Sequence, residues 1–579
     1  MNNISRNRYQ LWPQMILVLV VLFFGMSYVY ANFIYNAFPL MAEISFYDEL
    51  VWLIENNWHE YYRWLISEKL MVPFYIKILA PVLLIFILSI TITWWLLWIS
   101  GGRSRELHLS GSQLFIDKLA YRHARTLLKS ELSKNKRTVK GICLHLKIAI
   151  TSQRESGNIF IVGQQGSGKT QIILHLLQQI TTRDCRLFIY DEKKEFTELF
   201  FNPATSHLIA PWDHRSSQWN ISLDIQTIEE AELFSEQALP VSSSEKEPQW
   251  TISAQTILAG ILVYLMQQGK PWGWCEISQM LGLCDIENPK LKELLGEVYP
   301  SAANLIAEGN KTTFSIYSKL SPNLRWVHTL ARAWPKSSEH SFSIKSWLEG
   351  STKKQIIVQS DEQYRTVGKP LCNTLFAMMA SKMQSQGNVK SKETWLVLDE
   401  LANLPKSEML QKWFSVGRSL GCRTISGLQS YSQLREIYGD NLSRAMSTMQ
   451  GNVIALQHGA GEDATIMSER LGMEQMEVPH HTLGAQGQFK TEWKKEQPRL
   501  IVTPDDLSNL PSADDKGVHG YLKIYGYHAT YKLMWPHPAV ETIAIPTNRA
   551  RWTQSGNKNK KKSPLVSNRL NKRVKDANH

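Results

Sequence analysis

Cysteine is scarce in this sequence, and what there is does not pair. The six thiols stand at positions 143, 185, 275, 284, 372 and 422, with no Cys-x-x-Cys among them. That pattern argues against a disulfide-built scaffold and against a zinc ribbon. It fits small buried side chains in a reducing compartment. Histidine offers no obvious metal set either. His480 and His481 are adjacent in a loop-like stretch, with no second ligand cluster at a usable spacing. Acids are in deficit, 52 Asp and Glu against 64 Lys and Arg, for a formal charge of +12. A polyanion or a membrane surface is the partner such a balance suits.

Charge of either sign is missing from two stretches, Tyr9 to Ala42 and Ile78 to Gly102. Each holds an apolar run long enough for the roughly 20 residues a helix needs to cross a bilayer. Trp and Tyr flank both, as at membrane interfaces. The expected spans are about 12–36 and 78–100, within a membrane anchor covering 1–106. The first run is too long for a cleaved signal peptide and lacks an evident small-residue cleavage site. Arg6 and Arg8 precede the first span, and Arg103, Arg105, Lys118, Arg122, Arg125 and Lys129 follow the second. The positive-inside rule then places both termini in the cytoplasm and about 40–75 outside. In a bacterium this is a multi-pass inner-membrane protein.

The stretch "TWLVLDELANLPK", 394–406, drives an apolar strand into two adjacent acids, Asp399 and Glu400. A buried carboxylate is costly without a cation, so the pair calls for a partner. The partner lies upstream in "NIFIVGQQGSGKTQIILHLLQQ". Gly163, Gly168, Lys169 and Thr170 fit G-x-x-x-x-G-K-[ST], between an apolar strand and an amphipathic helix. Gln164, Gln165, Gly166 and Ser167 complete a loop whose N–H groups suit a phosphate at a helix N-terminus. The expected ligands are ATP and Mg²⁺. Lys169 reaches the β- and γ-phosphates, Thr170 and Asp399 hold the metal, and Glu400 polarises water. Two further strands are expected in "RLFIYDEKKEF", ending at Asp191, and in "GCRTISGLQSYSQL", ending near Gln429. At that second tip a polar side chain can sense the γ-phosphate.

About 230 residues separate Lys169 from Asp399, more than one nucleotide-binding sheet requires. Residues 226–349 carry helical signals almost throughout. The expected fold class is therefore α/β: a RecA-like P-loop ATPase domain over 107–225 and 350–545, an inserted all-α domain over 226–349, and a basic disordered tail over 546–579. Lys558, Lys560, Lys561, Lys562, Arg569, Lys572, Arg573 and Lys575 give that tail its charge.

The motifs "GQQGSGKT", "FIYDEKKEF", "APWDHRSSQWN", "EPQWTISAQTIL", "WLVLDELANLPK", "GRSLGC" and "GLQSYSQLREIYG" resemble, in order, those of the type IV coupling proteins of bacterial conjugation, in the TraD-like branch of the TraG/TraD family. The likeness runs from the two spans to about residue 545. It implies a homo-hexameric ATPase at the inner membrane. Such a ring couples single-stranded DNA with its bound relaxase to a type IV secretion channel and that channel's assembly ATPase. It implies nucleotide-site roles for Gly163, Gly166, Gly168, Lys169, Thr170, Asp399, Glu400 and Gln429. Arg418, in "GRSLG", matches the family's arginine that acts on a neighbour's site. Two other readings stay open at this point: an ATP-gated receptor for secreted proteins, and a chromosome-type DNA translocase of the same superfamily.

Overall fold

Short β-branched and apolar runs, too brief for helices, stack here as parallel strands covered on both faces. The computed structural model describes residues 17–35, 51, 58–100, 107–134, 138–241, 245–287, 289–335, 341–385, 392–404, 407–483 and 489–554. The chain divides into two compact units, one of 1–110 with 475–498 and one of 111–474 with 499–579.

The larger unit is built on a ten-stranded sheet. Its strands are β1 (Gln113–Ile116), β2 (Ile159–Val162), β3 (Arg186–Asp191), β4 (Ser206–Ile209), β5 (Gln355–Gln359), β6 (Thr394–Leu398), β7 (Cys422–Leu428), β8 (Asn452–Ala455), β9 (Val518–Lys523) and β10 (Ala529–Trp535). Their spatial order is β1-β10-β9-β8-β2-β7-β6-β3-β5-β4. From β8 to β4 every pairing is parallel, while β9 pairs antiparallel with both β8 and β10. Ile159 to Val162, Trp395 to Leu398 and Asn452 to Ala455 are all buried, as expected of strands with helices on both faces. The parallel run brings the strand tips Val162, Asp191, Gln359, Leu398, Leu428 and Ala455 to one edge. Helix α1 (Lys169–Ile180) leaves that edge directly after β2, and the short helix α2 (Glu195–Phe200) leaves it after β3.

Between β4 and β5 the described residues from Ile228 to Gly350 form helices, with one two-residue strand among them at Ser341–Phe342. Its two necks are clasped together. Trp219 pairs with Phe342, and the buried Asp224 carboxylate accepts hydrogen bonds from Trp219 Nε1 at 2.7 Å, Ile344 N at 2.8 Å and Lys345 N at 2.9 Å. Burial raises the pKa of Asp224, and those donors oppose the rise. Trp274 sits at the centre of an aromatic cluster with Trp219, Phe234, Trp326 and Trp334, at ring separations from 5.5 to 6.3 Å. Helix α3 (Pro248–Gln267) is apolar enough to cross a membrane, yet 56% of its most apolar window is buried within the fold. It is a core helix of this unit.

After β10 the chain runs as a strap to Gln554. Ala539 O accepts from Gln178 of α1, and Ile543 N and Ala544 N donate to Glu198 O of α2. Asp213 then buckles the strap down. Its carboxylate receives Arg215 Nη2 at 2.7 Å, Arg215 Nε at 2.9 Å and the backbone N–H of Asn548 at 2.7 Å. Trp552 closes the run by donating to Pro211 O. Residues 546–554, which the sequence reading assigns to the tail, are thus hydrogen-bonded to the body of the unit; 555–579, with all eight basic residues named above, lie outside the described residues.

The smaller unit holds Leu17–Ile34 and Met71–Trp95, both long and apolar enough to cross a membrane, with mean hydropathies of 2.1 and 2.4. Phe23 meets Phe86 edge-on at 5.9 Å. The second helix starts at 71, ahead of the expected 78, because Met71 to Ile76 is itself apolar and helix-compatible. His480 and His481 lie in a strand, Met473–Leu483, paired with Phe489–Lys495, where the sequence reading expects a loop. Among the described residues no group of three His, Cys, Asp or Glu side chains could hold a metal by itself.

Candidate nucleotide site

The phosphate loop follows β2 at the edge where the parallel strands end. Gly163 N donates to Leu428 O, and Gln164 N donates to Gln457 O at 2.8 Å, so the loop is held by the tips of both flanking strands. Gly166 and Gly168 have φ of +79° and +94°, a region open to glycine and strained for other residues. A Cβ on Gly168 would also lie 2.4 Å from Val518 of β9. Gln165 and Gly166 are exposed at the rim, and Ser167 is buried beneath them with an unpartnered hydroxyl. Lys169 and Thr170 open α1. The Lys169 ammonium turns back to Gly163 O at 2.7 Å and Gln164 O at 3.3 Å. Burial lowers its pKa; the nearby Glu400 and Asp399 carboxylates work the other way.

The acid pair sits two strands from the phosphate-loop strand. β6 does not touch β2; β7 runs between them. Thr170 Oγ1 still reaches Asp399 Oδ1 at 3.3 Å. Gly427 of β7 makes the approach possible, since a Cβ there would stand 2.0 Å from Asp399 O. Glu400 is buried. Its Oε1 accepts from Gln429 N at 3.3 Å, and its Oε2 has no partner. Burial pushes its carboxyl up to about 7, against the opposing pull of Lys169. Gln429 is half-buried at the tip of β7, beside Glu400.

The structure therefore gathers Gly163, Gln164, Gln165, Gly166, Ser167, Gly168, Lys169, Thr170, Asp399, Glu400 and Gln429 at one edge. Arg418 is not among them. It is exposed in the turn before β7, at the opposite edge, where it lies over Tyr525 at 5.9 Å. With seven residues in β7 at about 3.3 Å each, roughly 20 Å of strand separates it from the phosphate loop of its own chain. It lines a cavity of about 270 Å³ with Glu131, Lys134, Arg154 and Tyr525.

Two residues escape the sequence reading. Lys193, in the turn after β3, places its ammonium 3.7 Å from Asp399 Oδ2. His458, past the tip of β8, is buried with Nδ1 2.6 Å from Leu456 O and Nε2 without a partner. Lys193 lies in the quoted "FIYDEKKEF" run without being given a role there, and His458 belongs to no quoted motif; only its place just after a strand tip could have signalled it.

The donor set fits a magnesium nucleotide. An ammonium, a hydroxyl, a carboxylate and the free N–H groups of a helix start surround three buried polar atoms that have no partner: Ser167 Oγ, Glu400 Oε2 and His458 Nε2. Such atoms are costly unless a ligand or water meets them.

Fold and site together define a RecA-like P-loop ATPase domain carrying inserted helices, and solved structures share that fold. The unbound conjugative coupling protein TrwBdeltaN70 aligns with a TM-score of 0.63 at 19% identity, over 77% of this chain and 96% of that one. TrwB in complex with ADP and Mg²⁺ aligns with 0.62 at 18%, over 78% and 99%. TrwB with the non-hydrolysable ATP analogue ADPNP aligns with 0.63 at 20%, over the same shares. The model of the type IV secretion-system coupling protein DNA-binding domain matches residues 143–533, so the chain belongs to the type IV secretion-system coupling protein family. It is 25% identical over 398 residues to the coupling protein TraD of Escherichia coli strain K12, covering 67% of this chain. It spans about half, 52%, of that relative's length.

Proposed function

We propose that this chain is a membrane-anchored ATPase that couples relaxase-bound single-stranded DNA to a type IV secretion channel and helps drive conjugative transfer. It works as a homo-hexamer at the bacterial inner membrane, with both termini in the cytoplasm. Membership of the coupling-protein family supports the task. The observation that carries the chemistry is the convergence of Lys169, Thr170, Asp399 and Glu400 at one sheet edge around unpartnered polar atoms.

Bound Mg²⁺·ATP supplies the phosphoanhydride bond that is broken and the metal charge that offsets the phosphates. The rest falls to the chain. The loop N–H groups from Gly163 to Thr170 and the Lys169 ammonium bind the phosphates. Thr170 and Asp399 hold the metal shell. Glu400 takes the proton of the attacking water, a task suited to a carboxyl poised near neutrality. Gln429 orients that water from the next strand tip. Arg418, at the far edge of its own sheet, serves the site of a neighbouring subunit and offsets the charge that develops there.

ATP hydrolysis by the purified full chain tests this. Wild type turns over ATP in a Mg²⁺-dependent way, and Lys169→Ala does not while still inserting and assembling. Equal turnover by the two proteins would refute the site.

A further inference from the structure

The turn "DEKK" between β3 and α2 is pinned at three of its four residues. Asp191 is buried, and its Oδ2 accepts from both the N–H and the Oγ1 of Thr197 at 2.6 Å. Its carbonyl accepts from Ser360 N at 2.8 Å. Glu192 is hydrogen-bonded by Asn403, in the loop that follows the acid pair. Lys194 adopts a left-handed φ of 69° and is ion-paired with Asp361. A non-glycine residue holds that conformation only where its surroundings fix it. The fixed backbone leaves one side chain free to swing. Lys193 is 55% exposed, and the contact it makes is the loose 3.7 Å pairing with Asp399.

That pairing sets up a competition. The Asp399 carboxylate is the same group that holds the metal in the nucleotide reading, on which this inference rests. A divalent ion at Asp399 displaces the ammonium, which is then a cation beside a cation. Its stem is flexible and its anchor is rigid, so it turns to the nearest added negative charge. A triphosphate carries such a charge and a diphosphate lacks it. Lys169 cannot make the distinction alone, because its place at the start of α1 lets it serve the phosphates of either nucleotide. β3 adjoins the acid strand on the side away from the phosphate loop. Lys193 therefore approaches the acid pair from the flank opposite Lys169.

We propose that Lys193 is a specificity-determining residue that makes the site prefer a nucleoside triphosphate to the diphosphate. The test is the affinity of full-length protein for a fluorescent ADP and for its non-hydrolysable triphosphate counterpart, both with Mg²⁺, by fluorescence anisotropy. Lys193→Gln is expected to weaken the triphosphate analogue about tenfold and to leave ADP within about twofold. Lys193→Arg restores most of the preference. A merely structural lysine would shift both ligands together, and that outcome, or no change in either, overturns the proposal. Lys169→Ala, measured in parallel, loses both ligands if the nucleotide reading holds. Wild type that binds neither nucleotide overturns that reading and this inference with it, whereas wild-type binding with an unaltered preference in Lys193→Gln overturns this inference alone.

Discussion

Glu400 and Asp399 are neighbours in sequence with different proposed tasks, and their surroundings differ. Asp399 meets two cationic or hydroxylic partners, Lys193 and Thr170. Glu400 is buried with one oxygen unpartnered and its carboxyl raised to about 7. Glu400→Gln is therefore expected to keep nucleotide binding and lose turnover by at least about 100-fold, the scale of a lost general base. Asp399→Asn is expected to raise the Mg²⁺ concentration needed for binding. Isothermal titration beside a phosphate-release assay separates the two, and equal loss of binding in both would contradict the assignment. At this scale the sequence was most legible where spacing carries the signal. Gly163 to Thr170 is a motif, and an acid pair at the end of an apolar run is close to one. Lys193 stands in a quoted motif, but its contact with Asp399 was illegible because nothing in the spacing ties a turn lysine to a strand tip about 200 residues on. Gly427 heads the quoted "GLQSYSQLREIYG" run, but the reason for a glycine there was illegible because it arises only from a neighbouring strand's carbonyl.

Between β4 and β5 the run of helical signals had no competing strand pattern, which is why the insertion could be read from sequence. The clasp that closes it could not. Asp224 bonds Ile344 and Lys345 across more than a hundred residues of chain, and such contacts leave no local periodicity. The strap shows the same limit. Residues 537–554 have no helix or strand pattern to announce them, yet they cross from β10 to Asp213 and are fixed there. The "APWDHRSSQWN" run, part of the family resemblance, gains a structural role: Asp213 and Arg215 form the buckle and Trp219 enters the aromatic cluster. Asp213→Ala leaves Arg215 largely buried and unpaired and frees Asn548, so a loss of about 3 kcal/mol is expected. Limited proteolysis should then cut near 537–554 in the variant before it cuts wild type. Unchanged cleavage and melting would show that the buckle is dispensable.

At the scale of the molecule, buried histidines work against the fold in mild acid, while the buried carboxyls of Asp191 and Glu400, raised to about 6 and about 7, work for it. Burial lowers the pKa of His145, His175 and His458, and takes His207 down to about 4. A histidine held neutral in the fold stabilises fully above its unfolded pKa of about 6.5, and the contribution fades as pH falls toward the folded value. His207→Gln should therefore raise the melting temperature at pH 5 relative to that at pH 7.5 when compared with wild type, and an unchanged difference would contradict the burial argument. The proposed role of Arg418 reaches beyond one chain. Its place about 20 Å along β7 from its own phosphate loop predicts that mixed rings of Arg418→Ala and Lys169→Ala subunits regain turnover that neither has alone. No recovery in confirmed mixed rings would count against action in trans. The most direct test of the account is conjugation itself: the frequency with which cells lacking this protein transfer a marked element, when complemented with wild type or with Lys169→Ala. Wild type should restore transfer, and Lys169→Ala, present in the membrane at equal abundance, should not. Full transfer with the alanine variant would contradict the claim that ATP bound at this loop powers the passage of DNA.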